Sequence, residues 1–295
     1  MPNKPKIAIV GIGRWGKNLL RVFNDISDIA LCVHSGKAEN ESWLRENYPK
    51  IPHSTNFKDI LKDKTIEAVI IATPIQTHYK LVTEVLEAGK HVFVEKPLSP
   101  NLEESKSATA LAKEKKKVLF VGYTFLFHPI FQKLKKELAG STPTFADFHW
   151  SKFGTFDEDM RPNLMPHELS IMIELLGAPK SGRVLATEGI FTKEDILATE
   201  FTFKDGARAI SYMTRVAPAK HKRVTISDGI SIYTWQNDEL YRAKSGKVEC
   251  IHKGEIGEPL LLECKYFIEC VKSGSSKVHP DGAFSTEVTE AISFL

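Results

Sequence analysis

The chain has 295 residues, of which 42% are hydrophobic and 26% charged, a composition typical of globular proteins that excludes a disordered chain. Its 40 basic and 37 acidic residues are mixed along the sequence, so we expect no nucleic-acid partner. The first apolar run, residues 7–10, is too short for a signal sequence or a membrane span, and the cysteines lack a metal-binding spacing. We therefore expect a soluble, cytoplasmic protein without a metal site or a membrane partner.

Short apolar segments alternate with helical periodicity through the first part of the chain. We predict strands over residues 6–10, 29–33, 68–72, 91–94 and 118–121, and helices over residues 15–23, 41–48, 81–88 and 102–115. Uniformly apolar strands of this kind need cover on both faces. The alternation predicts an α/β fold, with a doubly wound parallel sheet of the Rossmann type in a first domain of residues 1–123.

The pattern changes after residue 123. A helix at 129–138, a strand at 145–153, a loop and a helix at 168–176 precede segments that largely alternate apolar and polar residues, at 184–191, 197–203, 207–214, 223–227, 230–235 and 239–243. A last helix, 260–271, ends at Ser273-Gly274. We predict a second, α+β domain of residues 124–295 with a large, mostly antiparallel open sheet. Its uncovered face leads us to expect a homodimer or homotetramer.

A glycine motif follows the first predicted strand. The sequence there is Gly11-Ile12-Gly13-Arg14-Trp15-Gly16, which fits G-x-G-x-x-G at a strand–helix junction. In this motif the first glycine permits a tight turn, the second lets backbone approach a pyrophosphate, and the third lets helix and strand pack closely. The helix N-terminus would add N–H donors for the anion. The motif predicts a dinucleotide site, and an ordinary glycine turn is the alternative.

The end of the second predicted strand bears on the choice between NAD and NADP. The sequence Val33-His34-Ser35-Gly36-Lys37 lacks the carboxylate that usually binds the ribose of NAD in this place. Ser35 and Lys37 can bind a 2′-phosphate, so the residues slightly favour NADP. The alternative is that Glu39 or Glu41 reaches the ribose and the cofactor is NAD.

Two longer motifs resemble a known family. They are A-T-P-x-x-x-H, from Ala72 to His78, and the tripeptide Glu95-Lys96-Pro97. At their distances from the glycine motif they resemble the Gfo/Idh/MocA family of glucose–fructose oxidoreductase and inositol dehydrogenase. The resemblance continues through residues 121–123, 166–170 and 259–263. It implies hydride transfer between NAD(P) and a sugar, polyol or nucleotide-sugar derivative, and a cis peptide between Lys96 and Pro97.

The resemblance also implies that Lys96 faces the substrate near the nicotinamide. Oxidation of a carbinol needs a base for the hydroxyl proton and a donor for the developing alkoxide. His167 suits the first role because its ordinary pKa is near neutrality, and Lys96 suits the second. The alternatives are a helix-start histidine bonded to backbone and a solvent-exposed lysine at a strand end.

The chain departs from the family at two places. Many relatives carry aspartate four residues before the histidine, where this chain has Asn163, which cannot accept a proton. Leu126 occupies a position that is often basic. The predicted catalytic or substrate-binding residues are Lys96, Asn163 and His167, with Tyr123 as a pocket wall and Arg161 as an anion ligand or a surface residue. The predicted cofactor-binding residues are Gly11, Ile12, Gly13, Arg14, Trp15, Gly16, His34, Ser35, Lys37, Ala72, Thr73, Pro74, His78, Glu95 and Lys96.

The function predicted from these residues is that of an NAD(P)-dependent dehydrogenase or reductase acting on CH–OH groups of a sugar-like small molecule. Two alternatives remain open. One is a redox-assisted lyase or glycosidase with tightly bound NAD, and the other, suggested by Asn163, is a sensor or scaffold protein that only binds the nucleotide.

Overall fold

A computed structural model describes residues 4–253, 257–274 and 277–295. In this part of the chain the helices are Arg14–Ile26 (α1), Ala38–Asn47 (α2), Lys58–Lys62 (α3), His78–Glu87 (α4), Leu102–Lys115 (α5), Pro129–Glu137 (α6), Met165–Leu176 (α7), Pro259–Ser273 (α8) and Gly282–Ser293 (α9). None of the described helices is long and apolar enough to cross a membrane.

The strands form two sheets. They are Lys6–Val10 (β1), Asp28–Val33 (β2), His53–Ser54 (β3), Ala68–Ile71 (β4), His91–Glu95 (β5), Leu119–Gly122 (β6), Phe145–Phe153 (β7), Ser181–Glu188 (β8), Ile196–Thr202 (β9), Arg208–Thr214 (β10), Val216–Ser227 (β11), Ile232–Gln236 (β12), Glu239–Lys244 (β13) and Lys247–Lys253 (β14). Every strand predicted from the sequence is present, with ends shifted by a few residues except at β11, which begins well before the predicted segment. The sequence did not predict β3, α3, β14 or α9; of these, β3 and α3 are only two and five residues long.

Contacts divide the chain into two compact units, Met1–Gly122 with Leu260–Thr286, and Tyr123–Pro259 with Glu287–Leu295. The contact units change between Gly122 and Tyr123, and the sequence analysis proposed its boundary after residue 123. The later segment Leu260–Thr286 nevertheless packs with the first unit, which a single boundary does not capture. Hydrophobic packing explains the difference, because the ring of Phe267 lies 5.5 Å from that of Phe93 and 5.8 Å from that of Phe120.

The first unit contains the predicted Rossmann sheet. Its described strands are ordered β3-β2-β1-β4-β5-β6, and all neighbours are parallel. The strands β4 and β6 are buried along their whole length, as their uniformly apolar sequences require. The strand order reverses between β1 and β4, and sheets of this type bind ligands beyond the carboxyl ends of the strands at that point.

The second unit contains the predicted open sheet. Its described strands are ordered β14-β13-β12-β11-β7-β10-β9-β8, and the neighbours are antiparallel except for the parallel pair β10 and β7. The prediction of a mostly antiparallel sheet is therefore confirmed. The helix α7 lies against one face, where Ser211 of β10 donates a hydrogen bond to Glu168.

Candidate active site

The glycine motif forms the turn between β1 and α1. Gly11 has φ of +96°, and a Cβ added there would lie 2.3 Å from the carbonyl oxygen of Ala72. A Cβ on Gly16 would lie 1.9 Å from the carbonyl oxygen of Gly11. A Cβ on Gly13 would meet no described atom within 4 Å. The first and third glycines are thus required by the backbone, whereas the second borders open space, as a pyrophosphate-binding turn requires.

A groove of about 1240 Å³ lies beside this turn in the first unit. The helix α1 begins at its wall, and no described side chain caps the helix N-terminus at Gly13. The exposed N–H groups of such a helix end are suited to bind an anion. The groove brings together most of the predicted cofactor residues, namely Gly11, Ile12, Gly13, Arg14, Trp15, His34, Ser35, Lys37, Ala72, Thr73 and Pro74.

One end of the groove carries the residues that follow β2. The ring of His34 is buried, and its Nδ1 accepts a hydrogen bond of 3.2 Å from the N–H of Gly36. Burial lowers the pKa of His34, with a further contribution from His53. The carboxylate of Glu41 is bound by Arg45 at 2.5 Å, while Glu39 lines the groove. Among the two acids considered from the sequence, only Glu39 is thus a candidate ligand of a ribose.

The indole of Trp15 connects the glycine turn to the E-K-P segment. Its Nε1 donates a hydrogen bond to the carboxylate of Glu95 at the end of β5. Burial raises the pKa of Glu95 to about 7, although Lys96 and the indole both favour the charged form. The sequence predicted Trp15 to be a cofactor-binding residue. The structure gives this side chain both a place in the groove wall and a partner on β5.

The imidazole of His78 contacts the backbone segments that follow β4 and β5. Its Nδ1 lies 2.8 Å from the carbonyl oxygen of Pro97, and its Nε2 lies 2.9 Å from that of Thr73. The imidazole is buried, and burial lowers its pKa. Both nitrogens therefore face protein carbonyl groups, which favours a positioning role over direct contact with a ligand. The peptide between Lys96 and Pro97 is cis, as the family resemblance implied.

His167 lies near the beginning of α7 in the second unit. The chain enters this helix through one π-helical segment, Met160–Leu164, where the sequence predicted a loop. Such segments are rare and frequently occur at functional sites. Asn163 precedes His167 by four residues within continuous helical backbone, a spacing that places side chains on the same helix face.

Two predicted substrate residues have other surroundings. Arg161 forms an ion pair of 2.8 Å with Glu194 and donates a hydrogen bond to the carbonyl oxygen of Leu295. Tyr123 is completely buried. Since the guanidinium is already bound and the phenol ring is inaccessible, we do not retain either residue among the proposed substrate ligands. The surface interpretation of Arg161 is the one that its contacts favour.

A group of residues around His167 was not predicted. The ring of Phe125 lies 5.2 Å from the imidazole and that of Trp150 lies 6.1 Å from it. The same two rings contact the ammonium of Lys222, and Glu168, next to His167 in the chain, is completely buried and close enough to act on that ammonium. In the sequence, Lys222 belongs to the basic run at 220–223, which looks like an exposed strand end. The sequence signal that could have pointed to a buried Lys222 is the presence of aromatic residues such as Trp150 on a neighbouring strand.

Comparisons with known proteins agree with this geometry. Residues 5–123 match the GFO_IDH_MocA model, described as an oxidoreductase family with an NAD-binding Rossmann fold. The scyllo-inositol 2-dehydrogenase (NAD(+)) of Bacillus subtilis (strain 168) is 28% identical, over 95% of this chain and 90% of that protein. The UDP-N-acetylglucosamine 3-dehydrogenase of Acidithiobacillus ferrooxidans is also 28% identical, over 80% of this chain and 76% of that protein.

Solved structures share the fold over the full length. A structure of the Acidithiobacillus ferrooxidans UDP-N-acetylglucosamine 3-dehydrogenase superposes with a TM-score of 0.90 at 22% identity, covering 100% of this chain and 99% of that one. Levoglucosan dehydrogenase in complex with NADH gives a TM-score of 0.87 at 18% identity, covering 98% and 95%. With the motifs and the sheet order, these findings support an NAD(P)-dependent oxidoreductase similar to the Gfo/Idh/MocA family, whose model matches residues 5–123.

Proposed function

We propose that this enzyme transfers a hydride between NAD(P) and the carbinol or carbonyl carbon of a sugar, polyol or nucleotide-sugar derivative. The observation that carries the proposal is the β1–α1 turn, whose second glycine faces open space beside a groove of about 1240 Å³. Relatives that act on inositol and on UDP-N-acetylglucosamine support the substrate class.

The residues of the groove are suited to hold the cofactor. The N–H groups at Gly13 and the start of α1 would bind the pyrophosphate, and Ala72, Thr73 and Pro74 would flank the nicotinamide half. When bound, the nicotinamide supplies the acceptor or donor of the hydride. The hydrogen bond from Trp15 to Glu95 would keep the E-K-P segment in place beside the turn.

His167 and Lys96 carry the acid–base part of the proposal. The imidazole of His167 would take the hydroxyl proton, and the ammonium of Lys96 would stabilise the negative charge that develops on the substrate oxygen. Asn163 would hold a substrate hydroxyl by hydrogen bonds, because its amide can donate and accept but cannot take up the proton.

Turnover measurements test these roles. We expect Lys96→Ala and His167→Ala each to lower the rate of nicotinamide reduction by at least about 100-fold, the usual contribution of a positioned acid or base. Cofactor binding, measured by fluorescence, should be largely kept. Lys62→Ala, an exposed lysine on α3, serves as the control.

The outcome also separates the alternative functions. If both variants turn over like the wild type, the site assignment is wrong. Tightly retained cofactor without net nicotinamide reduction would indicate a redox-assisted lyase or glycosidase. Cofactor binding without activity on a broad panel of carbinols and carbonyls would indicate a sensor or scaffold protein.

We further propose a preference for NADP. Arg14, Lys17 and Lys37 line the groove together with Ser35, and Glu39 is the acid among its lining residues. A positive groove end favours a 2′-phosphate. Lys37→Ala should weaken binding of NADPH about ten-fold while changing that of NADH little. Equal loss for both cofactors, or tighter binding of NADH by the wild type, would contradict the preference.

Self-association through the sheet of the second unit is also part of the proposal. Since Ser211 points to α7, its neighbours Ile210 and Tyr212 point to the opposite face, where the ring of Tyr212 lies 5.0 Å from that of His149. We expect a dimer or tetramer by light scattering and dissociation in Ile210→Glu. Ile190→Glu, at an exposed loop position, is the matched control. A monomeric wild-type mass would refute the expectation.

A further inference from the structure

Lys222 lies between two aromatic rings in the second unit. Its Nζ is 3.9 Å from the ring centroid of Phe125 and 4.0 Å from that of Trp150, which is its partner across β7 and β11. Ring faces stabilise a cation but accept no conventional hydrogen bond from it. Within the described residues, the ammonium has no hydrogen bond or ion pair, so its N–H donors remain available.

Two polar atoms in the surroundings of Lys222 also lack a hydrogen-bond partner among the described residues. Among the described residues, neither Nε1 of Trp150 nor Oε1 of Glu168 has a hydrogen-bond partner, although both are buried. Buried polar groups are nearly always hydrogen-bonded, so exceptions of this kind call for a further partner such as water, an ion or a ligand. The other oxygen of Glu168 accepts a hydrogen bond from Ser211.

The charges around Lys222 are predominantly positive. Lys220 and Lys152 are close enough to act on its ammonium, and Asp147 is bound by Arg223 at 2.9 Å. Burial raises the pKa of Glu168 to about 8, so its carboxyl group keeps a proton at neutral pH. Burial, together with Lys220, lowers the pKa of Lys222 to about 7. An anion placed here would relieve the repulsion between these cations.

The position of this cation relates it to the proposed reaction. His167 contacts the rings of Phe125 and Trp150, so Lys222 and the imidazole lie against the same two aromatic side chains. We propose that Lys222 is a further substrate-binding residue and that it holds an anionic oxygen, of a carboxylate or a phosphate, on the substrate. The inference rests on the proposed function and narrows its substrate class to anionic sugar derivatives.

The binding of an anion at this place has a measurable consequence. A bound carboxylate or phosphate favours the charged ammonium and therefore raises the pKa of Lys222. Binding near pH 7 is then accompanied by proton uptake, which calorimetry in buffers of different ionisation enthalpy detects. A neutral sugar causes no such uptake at this lysine.

Calorimetry with matched sugars tests the proposal on the full chain saturated with oxidised cofactor. D-glucuronate and D-glucose 6-phosphate are the anionic probes, and D-glucose is the neutral reference. We expect at least one anionic probe to bind about ten-fold more tightly than D-glucose, with proton uptake. Preference for glucuronate alone would assign a carboxylate, and preference for the phosphate alone would assign a phosphate.

Variants of Lys222 identify the residue responsible. Lys222→Met keeps an apolar stem on the rings and should abolish the preference, Lys222→Arg should keep part of it, and Lys247→Gln, on the remote strand β14, should keep all of it. The proposal is overturned if the wild type shows no preference, if neither anionic probe binds at millimolar concentration, or if Lys222→Met retains the preference.

The same experiment distinguishes this inference from the proposed function. Turnover of neutral polyols without any preference for anions would leave the dehydrogenase function intact and remove the role of Lys222. Anion binding that depends on Lys222, without nicotinamide reduction by any carbinol, would keep the binding site and remove the dehydrogenase function.

Discussion

At the scale of single residues, the site depends on positions where one added methyl group or one proton changes packing or charge. Gly13 and Gly16 differ in this respect although they belong to one motif, because one borders open space and the other touches backbone. Glu168 is buried with one oxygen unused among the described residues, so its proton affinity is controlled by burial rather than by solvent.

Alanine substitutions should separate the two glycines. Gly16→Ala forces a Cβ to 1.9 Å from the carbonyl oxygen of Gly11 and should lower the free energy of unfolding by at least ~2 kcal/mol. Gly13→Ala should leave stability within ~0.5 kcal/mol but weaken cofactor binding about ten-fold or more, because its methyl group occupies the space beside the turn. Urea unfolding and fluorescence titration measure the two effects. Equal stability losses would contradict this division of roles.

Glu168 should make stability depend on pH. Its pKa is raised from 4.5 to about 8, so between these values the folded protein holds a proton that unfolding releases. The contribution to the free energy of unfolding therefore falls as pH rises from 4.5 through 8. Glu168→Gln removes this dependence, and its stability relative to the wild type should increase by roughly 3–4 kcal/mol between pH 5 and pH 8. The exposed substitution Glu103→Gln should give the same difference at both values.

At the scale of elements, one arginine joins several loops of the second unit. Arg215, between β10 and β11, forms a buried ion pair of 2.8 Å with Asp195. It also donates to the carbonyl oxygens of Thr155, at 2.7 Å, and Glu194, at 2.9 Å. The loop before Asn163 and the turn between β8 and β9 are thereby connected through one guanidinium.

Removal of this guanidinium should therefore be costly. Arg215→Met leaves Asp195 buried without its counter-ion, and we expect a loss of at least ~3 kcal/mol in the free energy of unfolding. Arg208→Met breaks an ion pair with Glu200 in which the arginine is 57% exposed, and it should cost less than ~1 kcal/mol. Denaturant midpoints compare the two variants. Similar midpoints would show that the buried network does not stabilise the unit.

At the scale of the whole molecule, the chain leaves its first unit after β6 and returns to it with α8. The completely buried ring of Phe267 on α8 packs against Phe23, Phe93 and Phe120. The core of the first unit thus includes residues from a distant part of the sequence.

Truncation of this ring tests the dependence of the first unit on α8. Phe267→Ala should lower the free energy of unfolding by ~3–5 kcal/mol and reduce the fraction of protein that binds cofactor on heating. Leu262→Ala, on the same helix but 41% exposed, should cost under ~1 kcal/mol. Thermal unfolding followed with and without cofactor is the measurement. If cofactor binding survives to the same temperature in Phe267→Ala, α8 does not support the groove.

Local features of the sequence determined the fold class and named most of the residues that line the groove beside the glycine turn. Continuous apolar runs require buried parallel strands, and Gly11 and Gly16 meet a steric need that a short motif expresses directly. The strands β2, β1 and β4 are parallel neighbours, so their carboxyl ends lie at the same edge of the sheet; the helical connections between them determine this order. These properties arise from near neighbours in the chain, so they can be read from it.

Only the tertiary structure decided which distant side chains meet. Trp15 and Glu95 are 80 residues apart, and Lys222 reaches the rings of Phe125 and Trp150 through the pairing of two strands. The return of α8 to the first unit and the ion pair between Arg161 and Glu194 are of the same kind. Such contacts depend on the packing of whole elements, which no local pattern of residues specifies.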